Sequence, residues 1–214
     1  MENFYDTQRP TWEKLRKAYG RVQLNRTWLD KDATAAGALK RIQDILGAAA
    51  PYGMIKDAES LIQAVESVNM TLVTDHRNRV LQSINAHIAK VEAELETARA
   101  SAERRNQCLY PLQSLKRQVE TQTSIAHINQ LQQSAIEAAD EVFDSIETAV
   151  KRREELGVRD ANPPIPVKKR RIVQPARLAP HGFLETQADI EGYLDRLRQA
   201  LEAAIRAGER SEIR

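Results

Sequence analysis

Between Gly53 and Gly157 the chain has no glycine, and Pro111 is the single proline in that interval. These two residue types interrupt helices most strongly, glycine through its backbone freedom and proline through its missing N–H and its ring. Nearly half of the 214 residues are therefore free to run as long helix, and the spacing predicts two helices meeting at Pro111. Elements of this kind suit spacing and docking better than enclosing a reaction.

The apolar pattern supports that reading. From Asp57, a candidate N-cap, apolar residues fall at Leu61, Val65, Val68, Leu72, Val80, Ile84, Ile88, Val91, Leu95 and Ala98, with His76 in the missing place. Steps of three and four sustained over about 45 residues read as a coiled-coil seam, equivalent to a rod of roughly 65 to 75 Å. The pattern restarts at Leu112, Leu115 and Val119 and continues through Ile125, Ile128, Ala135, Ile136, Ala139, Val142, Phe143, Ile146 and Val150. The chain is expected to reverse between Cys108 and Pro111, making residues 57–156 an antiparallel helical hairpin. A single bent helix paired with a second chain uses the same seams and stands as the alternative.

The flanks divide into three further segments. Residues 1–56 predict a helical N-terminal segment. A helix opens near Pro10, capped by Thr7 or Asp6, with Trp12, Leu15, Tyr19 and Val22 on one face. Trp28 and Leu29 follow as anchors, and a second helix runs from about Asp32 to Leu46, where Gly47 and then Pro51, Tyr52 and Gly53 turn the chain. Residues 157–180 form a basic, proline-rich linker in which Pro163, Pro164 and Pro166 exclude helix and Ile172 and Val173 suit a short strand. Residues 181–214 predict a helix opened by a capping box at Thr186 and Asp189, with Ile190, Tyr193, Leu194, Leu197, Leu201, Ala204 and Ile205 on its buried face. Gly208 ends it, and residues 211–214 make a closing strand. The fold class is thus mainly α, a long coiled-coil-like hairpin with a small C-terminal strand-helix-strand cap able to add to a sheet supplied elsewhere.

Charge is distributed unevenly. The net charge is only +2, yet residues 157–181 hold six basic side chains against Asp160, while residues 58–156 carry 15 acidic and 11 basic. Lys168, Lys169, Arg170 and Arg171, with Arg177 close behind, are the candidate site: adjacent cations gain from phosphate contacts, which makes a sequence-independent DNA contact the alternative to the reading that the sequence favours. The favoured reading is a solvated connector or ion pairing with an acidic protein surface. No aromatic residue is interleaved for base stacking.

Other chemistry finds little support. The dispersed glycines form no phosphate-cradling loop. His76, His87, His127 and His181 lack metal-site spacing and read as interfacial or surface residues. Glu137, Asp140, Glu141, Asp144 and Glu147 make an acidic stripe that reads as a solvated helix face. Cys108 is the single cysteine, so an intrachain disulfide is excluded and a reducing cytoplasm is expected. No catalytic residue, cofactor or metal is predicted, and the absence of a long apolar run argues against a membrane partner.

Residues 183–214 (FLETQADIEGYLDRLRQALEAAIRAGERSEIR) resemble the extreme C-terminus of the BrxC family of P-loop ATPases from bacterial BREX phage-defence systems, related to PglY. Residues 171–178 (RIVQPARL) look like the basic strand leading into that family's terminal helix, and Phe4, Tyr5, Asp6, Arg9, Pro10 and Trp12 look like an internal stretch of such proteins. The resemblance covers about a quarter of the chain. It implies a C-terminal piece of a larger cytoplasmic ATPase, with Met1 added ahead of it, that docks other BREX components or joins protomers, with DNA nearby. The family's nucleotide-binding motifs have no counterpart here, so no catalytic residue carries over.

Overall fold

The computed structural model describes residues 8–155, 169–179 and 183–213. They fall into two compact units, one comprising Met1–Glu92 with Ala102–Val142 and the other Ala93–Ser101 with Phe143–Arg214. Two long helices, α4 (Ala58–Thr97) and α6 (Ile125–Glu155), contribute residues to both.

In the first unit, α1 (Arg9–Val22) opens with Pro10 in its first turn, as expected, but Gln8 is the N-cap residue and no side chain caps it. The proposed caps Thr7 and Asp6 lie outside the described residues. A 3-10 turn at Gln23–Asn25 and the single helical turn α2 (Arg26–Leu29) lead to α3 (Ala33–Gly47). Asp32 caps α3 by accepting the Ala35 N–H at 2.9 Å. Leu15, Val22, Leu29, Leu39, Ile42 and Ile45 from these helices bury one core with Ile55, Ala58 and Val65, the last two on α4. The first half of the α4 seam is thus covered by the N-terminal helices. Asp57 ends a 3-10 turn rather than standing clear of the helix, and its carbonyl accepts from the Ser60 hydroxyl at 2.8 Å.

The glycine-free tract is helical, but it breaks at different places from the one expected. Pro111 lies inside α5 (Ala102–Thr121), which correction moves the reversals to either side of it. At residue 111 the lost N–H would have bonded the Gln107 carbonyl; both residues are exposed, a setting in which solvent can take the place of that donor, and the helix continues through Pro111. The first reversal follows α4, where Arg99 adopts φ 50 and the Ala100 N–H bonds back to the Leu95 carbonyl at 2.9 Å. Glycine commonly occupies this left-handed position. The second lies at residues 122–124, where Gln122 Oε1 accepts the N–H groups of Thr123 and Ser124 at 2.9 and 3.0 Å.

Buried Asn25 holds the second reversal. Its Oδ1 accepts the Ile125 N–H at 2.8 Å, and its Nδ2 donates to the Thr123 carbonyl at 2.9 Å and to Asn69 Oδ1 at 2.8 Å. Arg77 donates to the Gln122 carbonyl at 2.7 Å, and His76 Nδ1 lies 3.1 Å from Asn129 Oδ1. The α5–α6 turn is therefore level with the middle of α4, so α5 runs antiparallel to α4 and α6 runs alongside α4 in the same direction. Helix, return helix and third helix replace the simple two-helix hairpin, within the same mainly α, antiparallel class.

The second unit contains the strand-helix-strand cap. β1 (Arg170–Val173) and β2 (Arg210–Ile213) pair in parallel, Arg170 opposite Arg210 and Val173 opposite Ile213. Parallel neighbours need a crossover, which a 3-10 turn at Pro175–Arg177 and α7 (Gln187–Arg206) provide. The expected capping box is present: Thr186 Oγ1 accepts the Asp189 N–H, and Asp189 Oδ2 accepts the Thr186 N–H at 2.9 Å. Gly208, at φ 70, ends the helix while the Glu209 N–H bonds the Ala204 carbonyl at 2.9 Å. The proline-rich linker over residues 162–166 lies outside the described residues.

Candidate interaction site on the second unit

The basic cluster that the sequence singles out falls largely on β1, and the strand separates its members. Alternate residues of a strand face opposite sides, so Lys169 and Arg171 share one face while Arg170 takes the other. Arg170 is only 5% exposed in its side chain. Its guanidinium pairs with Glu212 at 3.0 Å, its diagonal neighbour on β2, and lies 4.4 Å over the Phe143 ring. Its backbone N–H donates to Glu147 Oε1 at 3.0 Å. Arg170 is thus committed to holding the sheet, with no reach for an outside phosphate.

On the other face, Glu209 lies 3.6 Å from Arg171 and 3.9 Å from Lys169, both of which are substantially exposed. Pairs of this kind are screened and contribute little to stability, but they place an acid where a phosphate would have to sit. Arg210 is paired in turn with Glu94. Lys168 lies outside the described residues. Arg177, in the turn after β1, is exposed and has no acidic partner among the described residues. These neutralising acids were visible in sequence only as Glu209 and Glu212 flanking Arg210, and nothing short of the parallel register joins them to β1.

A cleft of about 410 Å³ opens beside this strand, lined by Arg171, Ile172, Val173, Gln174, Arg177, Leu178 and Ala200. Consecutive β1 residues line it together with the turn after β1 and one residue of α7, and β2 contributes none. Arg196 fixes the far wall by donating to the Leu178 carbonyl at 3.0 Å, tying the turn to α7.

The expected buried face of α7 is mostly uncovered. Ala204 is buried, and Tyr193, Leu197 and Leu201 are half-buried, but Ile190, Leu194 and Ile205 are exposed. A two-stranded sheet is too narrow to cover a helix with so broad an apolar face. Phe183, Leu184, Ile172 and Ile213 add to the exposed apolar surface of the same unit.

The remaining sequence candidates do not converge on a site. His76 meets Asn129 and the edge of the Trp28 ring at 6.3 Å, whereas Cys108 is buried in α5. His181 lies outside the described residues. Among the described residues no group of three or more His, Cys, Asp or Glu side chains is arranged to hold a metal ion, and no helix is long and apolar enough to cross a membrane. No family model and no solved structure matches the chain.

Proposed function

We propose that this chain is a non-enzymatic assembly region that docks partner proteins, and that it belongs to the C-terminal part of a cytoplasmic BREX-type defence ATPase. The observation that carries the docking role is the uneven spread of exposed apolar side chains. Seven of the ten large exposed hydrophobics lie in the second unit, although it holds the smaller share of the described residues. A concentration of that kind supports an interaction surface, as the same residues scattered singly would not. The BREX setting rests on the resemblance of residues 183–214 and 171–178, the same segments that form the exposed module.

A direct DNA contact through residues 168–171 is the less favoured reading, because Arg170 is sequestered and Glu209 faces Lys169 and Arg171. Pull-down of the chain against the other components of such a system, with and without DNA, tests the proposal. Retention of a defence component without DNA is the expected result. Retention that requires DNA would reverse the preference, and retention of none would remove the assembly role.

A further inference from the structure

We propose that the outer edge of β1 receives an extended acidic segment of a partner protein as an added strand, its carboxylate meeting Arg177. This deepens the docking role proposed above and rests on it.

The register decides which backbone groups are available. The Arg210 N–H bonds the Lys169 carbonyl at 2.8 Å, so with Arg170 opposite Arg210 the main-chain groups of Arg171 point to β2. Those of Arg170 and Ile172 point the other way. The Arg170 N–H meets Glu147, but the N–H and C=O of Ile172 have no partner among the described residues. An exposed strand edge of this kind is a template for strand addition. Ile172 also lines the cleft, where Leu178 and Ala200 add apolar surface against which side chains of an incoming strand can pack.

Charge selects the occupant. Lys169 and Arg171 share Glu209 and Arg170 pairs with Glu212, whereas Arg177 is the cation of the cleft that has no acidic partner among the described residues. One guanidinium suits a single carboxylate, for which its planar fork is well shaped, better than a run of phosphates. A second copy presenting the same edge would bring another Arg177 to this cleft, so a partner acid fits better than self-pairing.

The test uses the whole chain and a short synthetic peptide alternating valine with glutamate, followed by fluorescence anisotropy at physiological salt. Controls are its lysine counterpart and a version N-methylated at alternate residues, which cannot complete a ladder. Two protein variants accompany them. Ile172→Pro removes the outward N–H while sparing the bonds to β2, a position where proline is tolerated in an edge strand, and Arg177→Glu reverses the charge. The acidic peptide should bind the parent chain, and each control peptide should bind roughly tenfold more weakly or worse. Ile172→Pro should abolish binding, and Arg177→Glu should shift the preference toward the lysine peptide.

No binding of the acidic peptide, equal binding of either control, or indifference to both variants would overturn the proposal. If Ile172→Pro unfolds the unit, Arg177→Glu and the N-methylated peptide decide alone. Displacement of the peptide by duplex DNA, or a concentration-dependent dimer that excludes it, would assign the edge to those occupants instead. Capture of a defence component that survives both variants would remove the edge but keep the assembly role. Peptide binding without capture of any component would do the reverse.

Discussion

Asn25 is the residue on which the first unit most depends for its connectivity. It is 2% exposed and makes three hydrogen bonds, to α4, to the turn after α5 and to the first N–H of α6. A buried amide so placed specifies which turn sits against which helix, because any shift leaves the Ile125 N–H or the Thr123 carbonyl without a partner. Asn25→Ala is expected to destabilise the chain by about 2 to 3 kcal/mol, measured by chemical denaturation, since an unsatisfied buried donor costs about 1–3 kcal/mol and further bonds are lost with it. A loss below about 0.5 kcal/mol would show that water replaces the amide. Nothing in the local sequence marks this role, because Asn25 bonds residues 44 and 100 positions away.

At the level of elements, the placement of Pro111 within α5 gives the clearest expectation. Proline in a helix interior is about 3 kcal/mol less favourable than alanine, and here part of that cost is already offset by solvation of the Gln107 carbonyl. Pro111→Ala should therefore stabilise the chain, by roughly 1 to 2 kcal/mol, and raise its thermal midpoint without altering helix content. A loss of stability would mean that packing of the Pro111 ring against its surroundings outweighs the backbone cost. The helical character of the tract, the start of α3 near Asp32, the capping box at Thr186 and the stop at Gly208 were all legible in the sequence, because each is decided within a few residues. The two reversals were not. Arg99 takes a left-handed conformation without being glycine, and the run Thr121, Gln122, Thr123, Ser124, a usable capping signal, is less conspicuous than a proline.

For the molecule as a whole, the net charge of +2 and the pairing of β1 together limit what electrostatics can do. Binding of duplex DNA should show a salt dependence no steeper than about −2 in log K against log salt, because each phosphate neutralised contributes about −0.9. A markedly steeper slope that collapses when Lys168 to Arg171 become glutamine would restore the DNA reading. The two units differ in how completely they bury their apolar residues. In the first, the N-terminal helices and the start of α4 close a core, whereas in the second α7 is left with Ile190, Leu194 and Ile205 exposed.

The amino-acid sequence by itself determined the helical character of the long tract, the capping box at Thr186, the stop at Gly208, the short strands and the location of the basic cluster, because propensity, periodicity and capping act over one or two turns. It also placed Lys169, Arg170, Arg171 and Arg177 beside one another along the chain. Only the tertiary structure decided which of them are available. Strand alternation sends Arg170 inward to Glu212 and Phe143, the parallel register brings β2 alongside, and the fold leaves Arg177 and Ile172 lining the cleft. Charge neutralisation and edge pairing depend on residues some forty positions apart, so their outcome belongs to the fold rather than to any local pattern.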